Sequence, residues 1–519
     1  MLKAVNVRAL PKDVDAISAA FEEFQKKAFL ELELQEERHK LETMKRFARS
    51  AEVLAQGETN QGQLFNELET VTASEDLELP ATITIAEHER KKSGRKPIPD
   101  TYPRTERIHD LSEEEKRCPC CGEARPVIGK ETSEEIEIIP EKINVIRHVV
   151  LKYGPCQCHE FAAANVPAVI AAHSPARLIP GSIASASLVA YSVTRKFVEA
   201  VPFYRQEASF ARIGFDVGRN SLCLWAARAG RALGGLIDLM DEDTKKSNFI
   251  GMDETPVQVL SEPGKSAGNQ SYMWVTVGHY GELPIIRFIY HPTRSKKVPQ
   301  LILAGFQGYL QSDGYAGYDE IGDSPGIRHA GCWAHVRRKF FEASKVSKNA
   351  NSALVALGFI AKLYTVESEL RAMTTLTPEQ FVELRRERVL PILGAFHEWL
   401  IQRSANTVPG TSIGKAISYT LGLWERLSVY LETPILSPDN NRVENAIRPF
   451  VIGRKNWLFS ESVLGAQTSA TLYSVIETAK ACGHEPYKYL KYIFERLPAL
   501  KTDESQRHLL PYILNPNSY

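Results

Sequence analysis

Three acidic residues in separate segments are of the type that hard metal ions bind. Asp253 lies in the segment GMDETPVQV, Asp313 in LQSDGYAGY and Glu444 in DNNRVENAIRP. Phosphodiester transfer needs oxygen ligands for two Mg²⁺ ions roughly 4 Å apart, one activating the attacking oxygen and one stabilising the leaving oxygen. The first two carboxylates follow apolar segments that predict strands, and the third lies in a predicted helix. Carboxylates at adjacent strand ends, with one more from a helix packed across the sheet, can build such a site.

Each carboxylate also has a simpler interpretation, because an Asp at a strand end is more often a turn former or a helix cap. Glu254 competes with Asp253, although strand alternation is expected to point it to the opposite face. Asp319 and Glu320 compete with Asp313, but their setting is typical of a solvated turn.

Basic and aromatic residues follow the second and third acidic segments. Such side chains hold phosphates and stack on unpaired bases in proteins that bind DNA strands. Core packing is the alternative for Trp333 and Trp457, and His335 either lies near the metal ions or caps the helix that begins there. The DNA-contacting residues predicted in these segments are Arg337, Arg338, Lys339, Arg448, Arg454, Lys455 and Trp457.

The cysteines are clustered, since five of the eight lie between Cys118 and Cys158. In a large intracellular chain such clustering indicates a metal site rather than disulfides. The segment CPCCGE has the two-residue gap of a zinc knuckle, whereas CQCHE offers a gap of one between its cysteines or of two to its histidine. Between them, Glu135–Ile139 and Asn144–Tyr153 alternate like the strands of a hairpin. These features predict a structural zinc ribbon, and a set of free buried thiols is the alternative. The predicted zinc ligands are Cys118, Cys121, Cys156 and Cys158, with His159 as an alternative.

A basic segment precedes the cysteines. His88–Arg107 concentrates Arg and Lys, Arg95 and Lys96 among them, and its prolines exclude a continuous helix. Such an arm suits a DNA groove or a track of phosphates, and a solvated linker is the alternative. The formal net charge of the chain is zero, so a DNA partner can be argued only from local clusters of this kind.

Apolar periodicity separates helical from strand-rich segments. Helices are predicted over residues 13–56, where a short coiled coil and a helix packed on its own domain are both open, and over 175–246, 336–432 and 441–498. The strands predicted between Asn248 and His335 are Phe249–Met252, Val257–Leu260, Tyr272–Val277, Ile285–Tyr290 and Gly308–Gln311, with one helix near Lys297–Ala304.

This order predicts a multidomain α/β fold, with a ribonuclease-H-like mixed-sheet core and a helical insertion, preceded by N-terminal helices and the zinc ribbon. The first residues lack the apolar core of a signal peptide, and no run approaches a membrane span, so we expect a cytoplasmic protein. The predicted domains are 1–56 (helical or coiled coil), 57–110 (linker and basic arm), 111–165 (zinc ribbon), 166–246 (helical, DNA-binding), 247–340 (first part of the core), 341–435 (helical insertion), 436–482 (last part of the core) and 483–519 (C-terminal helices).

Taken together, the motifs resemble the transposases of the insertion-sequence 66 family, within the larger DDE group. The resemblance covers nearly the whole chain, through DETPVQVL, LQSDGYAGY, HAGCWAHVRRKF, NNRVENAIRPFVIGRKNWLF and the C-terminal SVIETAKACGHEPYKYLKYIFERLP. It implies that Asp253, Asp313 and Glu444 form the catalytic triad and bind two Mg²⁺ or Mn²⁺ ions. The second cysteine pair departs from the family's usual gap of two, and the N-terminal helix is a poor leucine zipper.

The resemblance also implies a bacterial enzyme that cleaves the ends of its element and joins them to target DNA. The implied partners are the terminal repeats, the target DNA, further copies of the chain on DNA and accessory proteins encoded by the same element. We expect it to associate with the nucleoid when bound to DNA. A tyrosine or serine recombinase, a non-catalytic DNA-binding regulator and an inactive copy are the alternatives, and the intact carboxylate set argues against the last two.

Overall fold

The structure, a computed structural model, describes residues 31, 34–37, 104–139, 142–154, 169–266, 268–346, 350–500 and 506–519. The chain divides into two compact units. The sheet unit comprises Ile83–Val298 and Val443–Tyr519, and the helical unit comprises Met1–Thr82 and Pro299–Arg442. Of the predicted N-terminal helix, residues 31 and 34–37 are described, and they are helical.

The strands are β1 (Arg104–His109), β2 (Val127–Ile139), β3 (Lys142–Tyr153), β4 (Ile170–Ala171), β5 (Phe249–Ser261), β6 (Gln270–Tyr280), β7 (Leu283–His291), β8 (Gly308–Gln311), β9 (Ile327–Ala330) and β10 (Phe459–Ser462). The helices are α1 (Ala186–Phe197), α2 (Phe203–Arg212), α3 (Arg219–Ala232), α4 (Gly234–Lys245), α5 (Lys297–Ile302), α6 (Asp319–Gly322), α7 (Trp333–Val346), α8 (Ala350–Ala372), α9 (Pro378–Ala405), α10 (Ser412–Gly422), α11 (Trp424–Ser428), α12 (Asn441–Trp457), α13 (Val463–Ala481) and α14 (Pro486–Arg496).

The first sheet of the sheet unit is built on the antiparallel hairpin β2–β3, to which β1 adds in parallel and β4 in antiparallel orientation. Alternate side chains along the hairpin face inward, and Ile136 and Val145 are fully buried. The hairpin predicted over Glu135–Ile139 and Asn144–Tyr153 is confirmed, and β2 begins earlier than its pattern indicated.

The end of the basic segment His88–Arg107 is part of this sheet, because β1 begins at Arg104. Arg104 pairs with Glu134 at 3.1 Å, and Arg107 pairs with Glu137 at 3.9 Å. Both glutamates belong to β2, so these two arginines connect β1 to the hairpin.

A serine joins this hairpin to the helices that follow. The Ser185 hydroxyl accepts a hydrogen bond from the Leu188 N–H at 3.2 Å and donates one to the Ile136 carbonyl oxygen. A hydroxyl can do both at once, so Ser185 caps α1 and ties it to β2. Helices α1–α4 occupy most of the helical region predicted over 175–246. Leu233 separates α3 from α4.

The second sheet of the sheet unit has the order β7-β6-β5 with antiparallel pairing, and β10 pairs in parallel with β5. The prediction of two strands, Phe249–Met252 and Val257–Leu260, is wrong, because β5 is one strand. The prediction left residues 253–256 outside both strands, but the pairing with β6 continues through them. Asp253 therefore lies within a strand rather than at its end.

Two hydroxyl groups of α13 bind the backbone of β7, which is an edge strand. Ser474 Oγ accepts from the Phe288 N–H at 2.8 Å, and Thr478 Oγ1 accepts from the Ile286 N–H at 2.9 Å. Both hydroxyl residues are fully buried. The helix thus satisfies backbone groups that a strand edge would otherwise leave unpaired.

The helical unit packs α7–α11 around aromatic side chains, with the rings of Trp333 and Phe396 6.1 Å apart. The fully buried Arg385 donates to Glu367 at 2.8 Å and to the Leu436 carbonyl at 3.2 Å. Strands β8 and β9 pair in parallel within this unit. The predicted α/β mixture of helices and mixed sheets is confirmed, and a ribonuclease-H-like core stays a prediction.

Candidate active site

Asp253 lies in the middle of β5 and is partly buried. Its Oδ1 atom accepts a hydrogen bond from the Glu254 backbone N–H at 2.8 Å. Val275 of β6 lies directly opposite Asp253, and Phe288 of β7 lies opposite Val275. Residues directly opposite in antiparallel strands share a face, so Asp253 and Phe288 belong to one row across the sheet.

Glu254 faces the other side of this sheet, as its alternation with Asp253 predicts. Its side chain is 1% exposed, and its Oε1 atom accepts from Arg294 Nε at 2.5 Å. This ion pair gives the buried Glu254 carboxylate a partner within the sheet unit. No signal in the sequence indicated Arg294 as its partner, because the two residues come together only in the folded sheet.

Glu444 occupies the first turn of α12 and is buried. Phe450, on the same helix, packs against Phe288 with ring centroids 6.2 Å apart. Because Phe288 and Asp253 share a face, α12 lies across the face that carries Asp253. A carboxylate in the first turn of a helix also benefits from the positive end of the helix dipole.

A contact at the end of α12 independently places this helix on the sheet face that carries Asp253. Arg454 Nη1 donates to Thr255 Oγ1 at 3.3 Å. Thr255 is two positions beyond Asp253 in β5 and therefore lies on the same face. The sheet unit thus brings Asp253 and Glu444, which are far apart in sequence, to one side of one sheet.

Asp313 belongs to the helical unit, where it follows β8 and is partly buried. Its Oδ1 atom accepts from the Tyr315 N–H at 3.0 Å, and the neighbouring Gly314 N–H donates to the Tyr419 hydroxyl at 3.1 Å. Burial, and then the Asp313 charge, raises the pKa of Tyr419, so its hydroxyl stays protonated. Two hydrogen bonds therefore hold this turn, and Tyr419 is a contributor that no sequence motif indicated.

The two acidic residues that compete with Asp313 have other surroundings. Asp319 pairs with Arg426, and Glu320 is exposed. Both lie in the short helix α6. Asp319 therefore has a structural partner within its own unit, which favours Asp313 among these carboxylates.

Helix α7 carries the basic residues that follow the second acidic segment. Arg337 and Lys339 are exposed and Arg338 is partly buried, while the Lys339 ammonium lies 4.4 Å from the centre of the Tyr419 ring. Burial, and then Arg338, lowers the pKa of the partly buried His335 to about 4, so its imidazole is neutral at pH 7.

Trp333 is a core residue. It is fully buried, and its indole N–H donates to the Leu427 carbonyl at 2.9 Å. The core-packing interpretation of Trp333 is confirmed.

Trp457 ends α12 and is partly buried. Its ring lies 6.3 Å from that of Phe197 and 6.4 Å from that of Tyr473, and the Lys196 ammonium lies 4.6 Å from its centre. Trp457 therefore packs within the sheet unit, and its contact with DNA stays a prediction. Of the predicted DNA-contacting residues on this helix, Lys455 is exposed, whereas Arg448 and Arg454 are partly buried.

The first half of the predicted zinc site forms a tight turn. The Cys118 N–H donates to the Glu123 carbonyl at 2.8 Å, and the Gly122 N–H donates to the Cys118 carbonyl at 2.9 Å. Gly122 has a φ of +75°, which glycine adopts without strain. Cys118 is buried and Cys121 is exposed. These hydrogen bonds close a tight turn around Cys118 and Cys121, and zinc binding by these two residues stays a prediction.

Several predicted site residues lie outside the described residues. They are Arg95, Lys96, Cys156, Cys158 and His159.

The comparison with protein families decides the class of this chain. The family model described as "Transposase IS66 family" matches residues 181–468, more than half of the chain. The chain belongs to the IS66 family of transposases.

Further IS66 models match on either side of that segment. The "zinc-finger binding domain of transposase IS66" matches residues 115–159, and the "IS66 C-terminal element" matches residues 474–512. A model described as "Transposase C of IS166 homeodomain" matches residues 33–107. The resemblance recognised from the motifs is therefore confirmed, and the IS66 chain is an insertion-sequence transposase with a zinc-finger segment.

Similar proteins occur in Sinorhizobium fredii. Uncharacterized protein y4qI is 30% identical over 469 residues, covering 88% of this chain and 83% of the relative. Uncharacterized protein y4jD is 29% identical over 518 residues, covering 97% of this chain and 96% of the relative. Within the described part of this IS66 chain, none of the helices is long and apolar enough to cross a membrane.

Proposed function

We propose that this IS66 transposase cleaves DNA at the ends of its insertion sequence and joins the exposed ends to target DNA, with Asp253, Asp313 and Glu444 as ligands of two Mg²⁺ or Mn²⁺ ions. In the first step water attacks phosphorus and the bond to the 3′ oxygen breaks. In the second step the freed 3′ hydroxyl attacks a target phosphodiester, the bond to the target's own 3′ oxygen breaks, and that oxygen leaves as a new 3′ hydroxyl. Neither step requires a covalent bond to the protein.

One observation carries this proposal: Asp253 and Glu444 lie on one side of one sheet, although they are far apart in the sequence. The α12 contacts with Phe288 and Thr255 hold that arrangement. The neighbouring Glu254 pairs with Arg294 on the opposite face of the sheet. This supports Asp253, rather than Glu254, as the metal ligand on the face that α12 covers.

The donor set fits a hard divalent cation, because all three proposed ligands are carboxylates. When bound, such ions supply positive charge that activates the attacking oxygen and stabilises the leaving oxygen. The residues of the chain orient the ligands: the Glu254 N–H holds Asp253, and the Tyr315 N–H holds Asp313. Arg448, Arg454 and Lys455 are proposed to hold the phosphates that flank the reacting one.

The zinc site is proposed to be structural. Cys118 and Cys121 would hold the ion together with Cys156 and either Cys158 or His159, and the turn at Gly122 fits the first pair. Thiolate and imidazole ligands suit zinc, and such a site stabilises a small sheet by folding with its metal. The ribbon and the arm with Arg95 and Lys96 are proposed to bind the terminal repeats.

We also propose the domain boundaries that the sequence predicts. In this division, residues 166–246 form a helical region that binds DNA. Joining two ends to one target requires both ends in one complex, so we infer a homo-oligomer on DNA. Accessory proteins from the same element are proposed partners.

The test incubates purified protein with labelled element ends and Mg²⁺ and looks for nicks at the element boundary. Asp253→Asn, Asp313→Asn and Glu444→Gln are each expected to abolish nicking while gel-shift binding to the ends persists. Glu477→Gln is the matched control, because Glu477 is also a buried helical glutamate of the sheet unit and pairs with Lys480 at 3.0 Å. Near-normal nicking by one of the three variants would remove that residue from the site.

A further inference from the structure

The chain makes an unusual turn where α12 ends. Leu458 has a φ of +64°, and its N–H donates to the Arg454 carbonyl at 2.7 Å. This is the position after a helix where glycine is preferred, because a side chain is strained at positive φ. Strained residues of this kind persist where the surrounding structure fixes them, and they cluster at functional sites.

Leu458 is 64% exposed, although it is apolar. Its neighbour Trp457 is folded back onto α12: a Cβ atom at Gly453 would come within 2.1 Å of the Trp457 ring. Phe459 pairs with Gln258 of β5 and so shares the face opposite Asp253. Leu458 precedes the strand and is more exposed than Phe459, which is 40% exposed.

Two cationic residues, Arg454 and Lys455, precede this leucine within about one helical turn. Lys455 is exposed one turn before it, and Arg454 is bound to Thr255. Thr255 lies two positions from Asp253, a distance of about 7 Å along the strand. A DNA strand whose reacting phosphate lies at Asp253 would therefore have its flanking phosphates near these cations.

We propose that Leu458 is a wedge that enters the base stack of the element end beside the scissile phosphate and unstacks the adjacent base pair. This rests on the proposed function. Proteins that distort DNA insert apolar side chains such as leucine between base steps, with cations on the adjacent phosphates. The exposed leucine, the strained backbone that presents it and the neighbouring cations match that chemistry. A second copy of the chain is the competing occupant of this surface.

The test measures unstacking without cleavage. Element ends carrying 2-aminopurine at the boundary are mixed with the protein in the absence of added Mg²⁺, and fluorescence reports unstacking. The parent protein is expected to raise the fluorescence, and Leu458→Gly to lose most of that rise while still binding the ends. Leu464→Ala is the matched control, because Leu464 is 53% exposed at the start of α13, and it should behave as the parent.

Cleavage with Mg²⁺ gives the second readout. Leu458→Gly should nick paired ends at least about tenfold more slowly, since unstacking then costs the enzyme more. It should nick ends with a mismatch at the boundary within about threefold of the parent, because a mismatched base needs less unstacking. Its thermal midpoint should equal or exceed that of the parent, since glycine relieves the strain at this φ.

Three results would overturn the wedge. Leu458→Gly could unstack and nick paired ends like the parent, Leu464→Ala could show the same losses, or light scattering could show that Leu458→Gly changes the oligomer while unstacking is unchanged. A parent protein that unstacks the ends but never nicks them would contradict the proposed function and leave the wedge standing.

Discussion

The adjacent residues Asp253 and Glu254 should respond to neutralisation in opposite ways. Asp253→Asn keeps an oxygen that can accept the Glu254 N–H, whose bond to Asp253 Oδ1 is 2.8 Å long. The fold should therefore be nearly unaffected. Glu254→Gln removes the charge that pairs with Arg294 at 2.5 Å, within a side chain that is 1% exposed.

The magnitudes follow from those environments. Losing one metal ligand should cost several kcal/mol of transition-state stabilisation, and each 1.4 kcal/mol lowers the rate about tenfold, so Asp253→Asn should nick at least about a thousandfold more slowly. Glu254→Gln should lower the free energy of unfolding by about 1–2 kcal/mol, which is modest because Arg294 is 42% exposed and can turn to water.

The assay compares the two variants in parallel. Denaturant unfolding gives the stability of each, and nicking of labelled element ends with Mg²⁺ gives the rate of each. The expected pattern is a stable, inactive Asp253→Asn and a destabilised Glu254→Gln that still nicks within about tenfold of the parent. The reasoning is refuted if Glu254→Gln is the inactive variant and Asp253→Asn nicks normally, because Glu254 would then be the ligand.

Three further predictions concern DNA binding, zinc and pH. Replacing Arg454 and Lys455 together by alanine should flatten the slope of log affinity against log salt by about two units and weaken binding to all DNA sequences, and an unchanged slope would show that neither residue contacts phosphate. Elemental analysis should find about one zinc per chain, lost together with end binding in Cys121→Ser, and a metal-free parent that binds ends would contradict the ribbon. Burial lowers the pKa of His329 from 6.5 to about 4, so between those values the unfolded chain binds a proton that the folded chain excludes. The free energy of unfolding should therefore fall by up to about 3 kcal/mol as pH drops through that window, and His329→Gln should show a shallower dependence in denaturant titrations at pH 7 and pH 5.

The sequence predicted local structure correctly where interactions between residues close in the chain decide it. Alternation predicted the hairpin β2–β3 and placed Glu254 opposite to Asp253. The CxxC spacing indicated a knuckle at Cys118 and Cys121, and the structure has a tight turn there. Helical periodicity predicted most of α1–α4 and of the helical unit. In each case the deciding interactions span a few residues, so composition and spacing carry them.

The continuity of β5 could not be predicted in this way. The sequence prediction ended one strand at Met252 and began another at Val257, but β6 pairs along the whole segment between them, and Arg294 pairs with Glu254 within it. Those partners lie elsewhere in the sequence, so no local pattern contains them.

The sequence by itself determined the family, the acidic residues proposed to bind metal and the types of most elements, because motifs and periodicity are local properties. Only the tertiary structure decided which face Glu444 shares with Asp253, that Tyr419 holds the turn after Asp313, and that Trp457 is packed while Leu458 is exposed. The physical reason is that burial and long-range pairing depend on contacts between side chains that are distant in the sequence. The free energy of such contacts depends on both partners, so no single segment predicts it.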